Sequence, residues 1–115
     1  MSFLHAFHGI KHAALNERNF KIHLAAAAAA VLACVILQAE TVHFYMVVYA
    51  VFFVLCMELV NTAVEALVDM YCGGSVNPFA KVAKDCCAAA VLLAAAQAVI
   101  VACYVAFSII KRFAS

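Results

Sequence analysis

Charged residues are scarce in this sequence, and their scarcity decides its class. Asp, Glu, Lys and Arg make up 11% of the 115 residues, whereas hydrophobic residues make up 70%. An average soluble domain has about 25% charged and about 45–50% apolar residues. So little polar surface cannot cover a water-soluble globule, and we expect one domain (1–115) embedded in a membrane. The net charge of +1 excludes a strongly basic protein, so no nucleic-acid partner is expected.

Glycine is almost absent, and Cys-x-x-Cys pairs are missing. The three glycines, at positions 9, 73 and 74, cannot form a P-loop or the glycine fingerprint of a dinucleotide-binding domain. None of the six cysteines belongs to a Cys-x-x-Cys pair, and four lie in long apolar runs. A free cysteine there behaves as a small hydrophobic residue. The same composition excludes a disordered chain, a collagen-like repeat and a secreted module held together by disulfides.

Four helical segments are expected. In the first, over 3–17, Phe3, Phe7 and Ile10 recur with helical spacing while the polar residues point elsewhere. This pattern is typical of an amphipathic helix that lies in the membrane interface. The other three segments have the hydrophobicity of transmembrane helices, and they cover 22–39, 41–70 and 78–110. The expected fold is an all-α integral membrane protein with three transmembrane helices and an N-terminal interfacial helix.

The basic residues predict the orientation of these helices. Most Lys and Arg residues lie either before the first transmembrane helix or at the start of the third, and only Lys111 and Arg112 lie at the far end. Cytoplasmic segments carry an excess of Lys and Arg. We therefore expect a multi-pass membrane protein with its N-terminus and functional site in the cytoplasm. The cytoplasmic basic residues are Lys11, Arg18, Lys21, Lys81 and Lys84.

Acidic side chains line one face of the second predicted transmembrane helix. At about 100° per residue, Glu58, Glu65 and Asp69 fall close to one line, and Asn61 lies beside it. An acid at the centre of a membrane helix costs about 2.5–3.5 kcal/mol, so Glu58 is expected at the inner membrane boundary and the other acids nearer the cytoplasm. The stripe is either a solvated helix end paired with basic residues or a functional site. We favour the site, because Glu58 directly follows an apolar run.

Two further polar clusters are expected at the same depth. One lies where the interfacial helix meets the first transmembrane helix, and the other lies on the first turns of the third. Mg²⁺ prefers oxygen ligands and usually takes one or two carboxylates together with phosphate oxygens. Carboxylates from two helices and lysines from a third can therefore hold Mg²⁺ and a polyphosphate. The clusters are Asn16-Glu17-Arg18 and the group of Lys81, Lys84 and Asp85.

The polar run and its surroundings resemble one known family. The pattern Glu-x-x-Asn-Thr-Ala-x-Glu-Ala-x-x-Asp over 58–69, followed by Ala-Lys-Val-Ala-Lys-Asp over 80–85, closely resembles the prokaryotic diacylglycerol kinase and undecaprenol kinase family. Gly-Ile-Lys over 9–11 and Asn-Glu-Arg-Asn-Phe-Lys-Ile-His over 16–23 are also similar to it. His23 resembles the undecaprenol kinase branch, because the diacylglycerol kinase branch tends to carry an acid at this position.

The resemblance implies a homotrimer with composite sites between subunits, which transfers the γ-phosphoryl group of ATP to a lipid hydroxyl. It implies that Glu58 is the general base, that Asn61 positions it, and that the metal ligands are Glu17 and Glu65, which hold Mg²⁺. The loop over 71–78 departs from the family by one added residue and by Asn77 in place of a common His. The implied nucleotide ligands are Glu17, Glu65, Asp69, Asn77, Lys84 and Asp85, and the implied lipid-side residues are Glu58, Lys11 and Asn16.

Three other interpretations stay open. The chain could be a small proton-coupled multidrug or ion transporter that uses Glu58, although three spans and an acid at a helix end argue against it. It could be a non-catalytic trimer whose polar stripe ties helices together. His5, His8 and His12 share a helical face and could hold zinc, although no fourth ligand is evident. We favour a Mg²⁺- and ATP-dependent lipid kinase acting on undecaprenol or diacylglycerol, with undecaprenol slightly preferred.

Overall fold

The computed structural model describes residues 2–115, and this part of the chain is entirely helical apart from short turns. The N-terminal helix α1 is short, whereas α2, α3 and α4 are long and apolar enough to cross a membrane. The prediction of an all-α chain is therefore confirmed, with three helices long and apolar enough to cross a membrane. The helices are α1 (Phe3–Asn16), α2 (Arg18–Ile36), α3 (Thr41–Cys72) and α4 (Pro78–Ala114).

The helix bounds differ from the predicted segments mainly at their polar ends. The first spanning helix begins at Arg18 rather than 22 and ends at Ile36 rather than 39. The second continues to Cys72 and the third to Ala114. The prediction followed the apolar residues, whereas a helix continues through flanking polar residues until a residue with another backbone conformation stops it. The polar ends of the helices are thus available to carry a site.

The turn between α3 and α4 follows directly from its sequence. Gly73 adopts the left-handed conformation, with φ of 53°, and its N–H donates to the Asp69 carbonyl at 3.0 Å. Glycine tolerates this conformation at a helix C-terminus because it has no Cβ. Asn77 then caps α4, since its Oδ1 accepts a hydrogen bond from the Phe79 N–H at 2.9 Å, and Pro78 occupies the first helical position. This turn holds the polar ends of α3 and α4 side by side.

The core of the molecule lies along α3, which packs against α4 on one side and α2 on the other, while α1 packs mainly against α2. Small buried side chains, among them Ala27, Ala50 and Ala94, allow the helices to approach closely. Most large apolar side chains instead point outward, as they would toward lipid. A cluster of buried apolar side chains lies toward the end of the bundle away from the α3–α4 turn. It consists of Cys34, Val47, Val105 and Ile109.

At the end of the molecule away from the α3–α4 turn, Arg112 ties α4 to the end of α2. Its guanidinium donates to the Leu37 carbonyl at 2.6 Å and to the Gln38 carbonyl at 2.7 Å. These carbonyls belong to the C-terminal end of α2, where no further helical turn supplies N–H partners. The contact is charge-assisted and fixes the α2–α3 turn, in which Gln38 has a positive φ of 53°.

We expect Arg112→Ala to lower the free energy of unfolding by about 1–2 kcal/mol, because two hydrogen bonds from a charged donor are lost at a partly solvated position. Thermal unfolding of the purified protein in detergent micelles measures the effect. Lys111→Ala is the matched control. Lys111 directly precedes Arg112, and its side chain is exposed and makes no hydrogen bond with residues 2–115. Equal melting temperatures for the two variants would show that the Arg112 contact contributes nothing.

Candidate functional site

The site is centred on Glu58, which lies on α3 and has only 2% of its surface exposed. Its Oε1 atom lies 3.3 Å from Nε2 of His23, which α2 presents from the facing helix. Even so, Glu58 Oε1 accepts no aligned hydrogen bond from any residue in 2–115. A buried carboxylate oxygen without a partner is costly in a structural role. This arrangement therefore indicates that Glu58 has a function.

Asn61 and Glu65 continue the polar face of α3 toward the α3–α4 turn, and both are half-buried. The Asn61 amide donates to Glu65 Oε1 at 3.3 Å, which orients that carboxylate. Asn61 Oδ1 is buried and has no hydrogen-bond partner among the described residues. Thr62 is satisfied within the helix, because its hydroxyl donates to the Glu58 carbonyl at 3.0 Å. Asn61 thus leaves an acceptor free beside Glu58.

Glu17 approaches the same place from the junction of α1 and α2. It is the single residue between the two helices, with an extended backbone (φ −100°, ψ 115°), and it is half-buried. Its carboxylate and that of Glu65 lie near enough to Glu58 to interact with it electrostatically. Glu17 and Glu65 therefore both act electrostatically on Glu58, and a cation nearby would relieve this repulsion.

A second cluster lies at the α3–α4 turn, where a cleft of about 460 Å³ is lined by charged residues from both helices. Lys84 donates to Asp69 Oδ1 at 2.6 Å, which joins α4 to α3, and Lys81 donates to Asp85 Oδ2 at 2.5 Å within α4. Each lysine is thus neutralised by one carboxylate. The cleft can accept an anionic ligand if the lysines exchange these carboxylates for phosphate oxygens. Its polar lining includes Asp69, Ser75, Asn77, Lys81, Lys84 and Asp85.

Glu65 links the two clusters. It interacts electrostatically with Glu58 on one side and with Lys84 on the other. Helical geometry puts Glu58 and Glu65 about 10 Å apart along α3, because each residue rises about 1.5 Å. Electrostatic interactions thus connect Glu58 with Glu17 and Glu65, and Glu65 with Lys84 of the charged cleft.

Apart from Glu58, the residues expected to contact the lipid lie on α1. Lys11 and Asn16 are both exposed on α1. The Asn16 amide donates to the His12 carbonyl at 2.9 Å, within its own helix. Asn77 lines the cleft, but its side-chain oxygen already caps α4. For these three residues the predicted contacts with lipid and nucleotide stay predictions.

The histidines of α1 do not form a metal centre in the described part of the chain. The His5 and His8 rings are 6.3 Å apart between centroids. Among residues 2–115, no group of three or more His, Cys, Asp or Glu side chains is arranged to hold a metal ion. The zinc interpretation therefore has no support. A site of two carboxylates completed by phosphate oxygens needs no such group.

Two residues of the site were not assigned a role from the sequence. In the sequence, His23 only distinguished the undecaprenol kinase branch from the diacylglycerol kinase branch. An imidazole one residue inside a predicted apolar span could itself have indicated a functional residue. Lys81 was placed on the face of Lys84 without a part in the nucleotide site, and it lines the same cleft. In both cases the missing information was which helix face packs against the acidic stripe.

Comparison with known protein sequences identifies a family for this chain. The family model of prokaryotic diacylglycerol kinase matches residues 4–106. A diacylglycerol kinase of Synechocystis sp. is 42% identical over 101 residues, which are 88% of this chain and 58% of that protein. An undecaprenol kinase of Bacillus subtilis is 43% identical over 91 residues, which are 78% of this chain and 72% of that protein. The chain thus spans less than two thirds of the Synechocystis relative.

These matches cover the polar face of α3, the α3–α4 turn and the charged start of α4. The resemblance seen in the sequence is therefore confirmed. Because the family model extends over most of the chain and the Bacillus subtilis relative is matched over most of its own length, this chain belongs to the prokaryotic diacylglycerol kinase family.

Proposed function

We propose that this chain is a lipid kinase that phosphorylates a membrane lipid alcohol with ATP and Mg²⁺ at the cytoplasmic surface of a bacterial plasma membrane. The acceptor is undecaprenol or diacylglycerol, with undecaprenol slightly preferred, and the product is undecaprenyl phosphate or phosphatidic acid. The observation that carries this proposal is the buried, unpartnered carboxylate oxygen of Glu58, next to two further carboxylates and a lysine-lined cleft.

Glu58 suits the role of general base toward the lipid hydroxyl. As the hydroxyl oxygen bonds to the γ-phosphorus, the bond from phosphorus to the ADP oxygen breaks and the hydroxyl proton passes to Glu58. A base acting this way contributes about 10²- to 10⁴-fold to the rate. Asn61, whose free Oδ1 lies beside Glu58, positions the acceptor and the base. Burial keeps water away from the reacting hydroxyl.

Glu17 and Glu65 suit the role of Mg²⁺ ligands. Both are half-buried carboxylates close to Glu58, and Asn61 fixes Glu65 through its amide. Two carboxylates are the number Mg²⁺ commonly takes when phosphates complete its coordination. When bound, Mg²⁺ neutralises charge on the phosphates. The protein then has little covalent chemistry to perform, because phosphoryl transfer depends mainly on positioning and charge.

The cleft at the α3–α4 turn suits the nucleotide. Lys84 contacts the phosphates after leaving Asp69, and Asp85 holds Lys81 beside it. Asp69 and Asn77 line the side of the cleft formed by the turn. Glu65, which acts on both Lys84 and Glu58, places the γ-phosphate between cleft and base. This order along α3 supports transfer from the cytoplasm toward the membrane.

We also propose the assembly and membrane placement that the family resemblance implies. The chain forms a homotrimer in which neighbouring copies complete each site, and α1 lies in the cytoplasmic interface with Lys11 and Asn16 near the lipid headgroup. The half-exposed state of Glu17 and Glu65 in a single chain supports a contribution from a second copy. Crosslinking of the protein in vesicles tests the stoichiometry, with a ladder that stops at three copies as the expected result.

Lys84→Met is expected to raise the KM for Mg·ATP by about tenfold, because a charge-assisted contact to phosphate is lost while the base remains. Initial rates at varied Mg·ATP measure the change. Lys111→Met is the matched control, since it removes a lysine from the other end of α4 and should leave the KM unchanged. Equal KM values for the two variants would remove Lys84 from the nucleotide site.

The decisive experiment reconstitutes the purified protein in lipid vesicles with γ-labelled ATP and offers undecaprenol and diacylglycerol in turn. We expect label in undecaprenyl phosphate, in phosphatidic acid, or in both, and the ratio identifies the preferred acceptor. Label in neither lipid would overturn the proposal. The transporter alternative is not favoured by the family match, and proton-coupled dye efflux without lipid labelling would be needed to revive it.

A further inference from the structure

The contact between His23 and Glu58 joins a buried group to a more exposed one. The two side chains meet at 3.3 Å, and 3% of the Glu58 side chain is exposed, compared with 26% of the His23 side chain. The imidazole is therefore the more accessible partner of the buried carboxylate.

On the side of Glu58 that faces α2, the polar neighbour is His23. A crevice of about 260 Å³ between α2, α3 and α4 is lined by His23 and otherwise only by alanine and valine side chains. Alanine and valine side chains neither accept nor donate protons. His23 is thus the one side chain of this crevice that can accept a proton, and its Nε2 lies 3.3 Å from Glu58 Oε1.

Such a proton arises in every turnover of the proposed reaction. When the acceptor hydroxyl forms its bond to phosphorus, its proton is left on Glu58. The next turnover requires Glu58 as a carboxylate again, so the proton has to leave. A carboxyl group that is almost fully buried exchanges poorly with bulk water, and a histidine both accepts and donates protons near neutral pH.

We propose that His23 is a positioning residue that receives at Nε2 the proton abstracted by Glu58, pairs as imidazolium with the regenerated carboxylate, and then releases the proton to water. This inference rests on the proposed function, in which Glu58 is the base. Neutral imidazole becomes imidazolium while the carboxyl group becomes carboxylate, and loss of the proton to water restores the ring. Glu58 Oε1 accepts no aligned hydrogen bond, and a ring protonated on Nδ1 leaves Nε2 free for this transfer.

The charges around the pair favour this step. Besides His23 from α2, the groups that act electrostatically on Glu58 are Glu17 from the α1–α2 junction and Glu65 from α3, and Lys84 of α4 acts on Glu65. Repulsion from these two carboxylates disfavours an uncompensated negative charge on Glu58, and an imidazolium at 3.3 Å compensates that charge while the carboxylate is regenerated.

The test compares His23→Gln and His23→Ala with the wild-type protein in vesicles, using kcat and the KM for Mg·ATP. His8→Ala is the control, because His8 is an exposed histidine of α1 outside the site. We expect kcat to fall by about tenfold or more in both His23 variants with an unchanged KM. Glutamine keeps an amide that can hold Glu58 but cannot carry a proton, so its loss of rate separates proton transfer from simple support.

Imidazole added to the buffer should restore part of kcat to His23→Ala and none to Glu58→Gln. This rescue should increase between about pH 6 and about pH 8, because only the neutral ring accepts a proton. Wild-type kcat in His23→Gln, or an inactive His23→Ala that binds Mg·ATP but is not rescued, would overturn the inference. A wild-type protein that labels neither lipid would instead overturn the proposed function, so the two failures are distinguishable.

Discussion

Phosphoryl transfer is expected to fall by at least about a hundredfold in Glu58→Gln, whereas the affinity for Mg·ATP should remain close to that of the wild type. Glutamine has nearly the same shape and remains buried, but its amide cannot take the proton of the lipid hydroxyl. The expected loss corresponds to the usual contribution of a general base, about 10²- to 10⁴-fold. Single-turnover transfer from γ-labelled ATP in vesicles measures the rate, and equilibrium nucleotide binding measures the affinity.

Glu40→Gln is the matched control for this variant. Glu40 is an exposed acid that precedes α3 at the opposite end from the site, and its side chain makes no capping hydrogen bond. It should transfer phosphate at the wild-type rate. Near-normal turnover in Glu58→Gln would show that another base, or none, takes the proton. A loss of nucleotide binding in that variant would mean that burial of Glu58 supports the fold of the site rather than the chemical step.

Removal of the Glu65 carboxylate should have a different effect. We expect Glu65→Gln to weaken Mg·ATP binding by about tenfold or more and to raise the Mg²⁺ concentration needed for half-maximal activity. One of the two proposed metal carboxylates is lost, and Lys84 loses an electrostatic partner. Mg²⁺ binds proteins through few carboxylates, so the loss of one matters. Titration of Mg²⁺ at fixed ATP measures the shift.

Glu17→Gln is the corresponding test for the carboxylate at the junction between α1 and α2. If both carboxylates hold the same ion, the two single variants should show similar Mg²⁺ dependence, and the double variant should lose less than the sum of the two single losses. Residues that act as one unit are not additive, because the first removal already disables the unit. An unchanged Mg²⁺ dependence in Glu65→Gln would place the metal elsewhere, and a shift in that variant alone would exclude Glu17.

The helices and their number were accessible from the sequence because bilayer helices are defined by long apolar runs. The stripe was also accessible, since helical periodicity alone puts Glu58, Glu65 and Asp69 on one face. The structure adds that burial decreases along this face, from a buried Glu58 through a half-buried Glu65 to an exposed Asp69. The interpretation as a solvated helix end paired with lysine describes Asp69, which contacts Lys84, but not Glu58.

Contacts between helices could not be predicted in the same way. Whether His23 faces Glu58 depends on the rotation of α2 about its axis, and a run of alanines gives α2 almost no apolar face to set that rotation. The pairing of Lys84 with Asp69 depends on the turn closed by Gly73 and Asn77, whose length differs from the family's. Packing of whole helices, rather than local pattern, decides these contacts.

The junction at Glu17 has a mechanical consequence. One extended residue separates α1 from α2, so the backbone there has no slack to absorb a tilt of α1. Amphipathic helices at a bilayer surface respond to curvature and lipid composition. If α1 lies in the membrane interface and Glu17 holds Mg²⁺, as proposed, a tilt of α1 would displace that carboxylate and change the affinity for the metal.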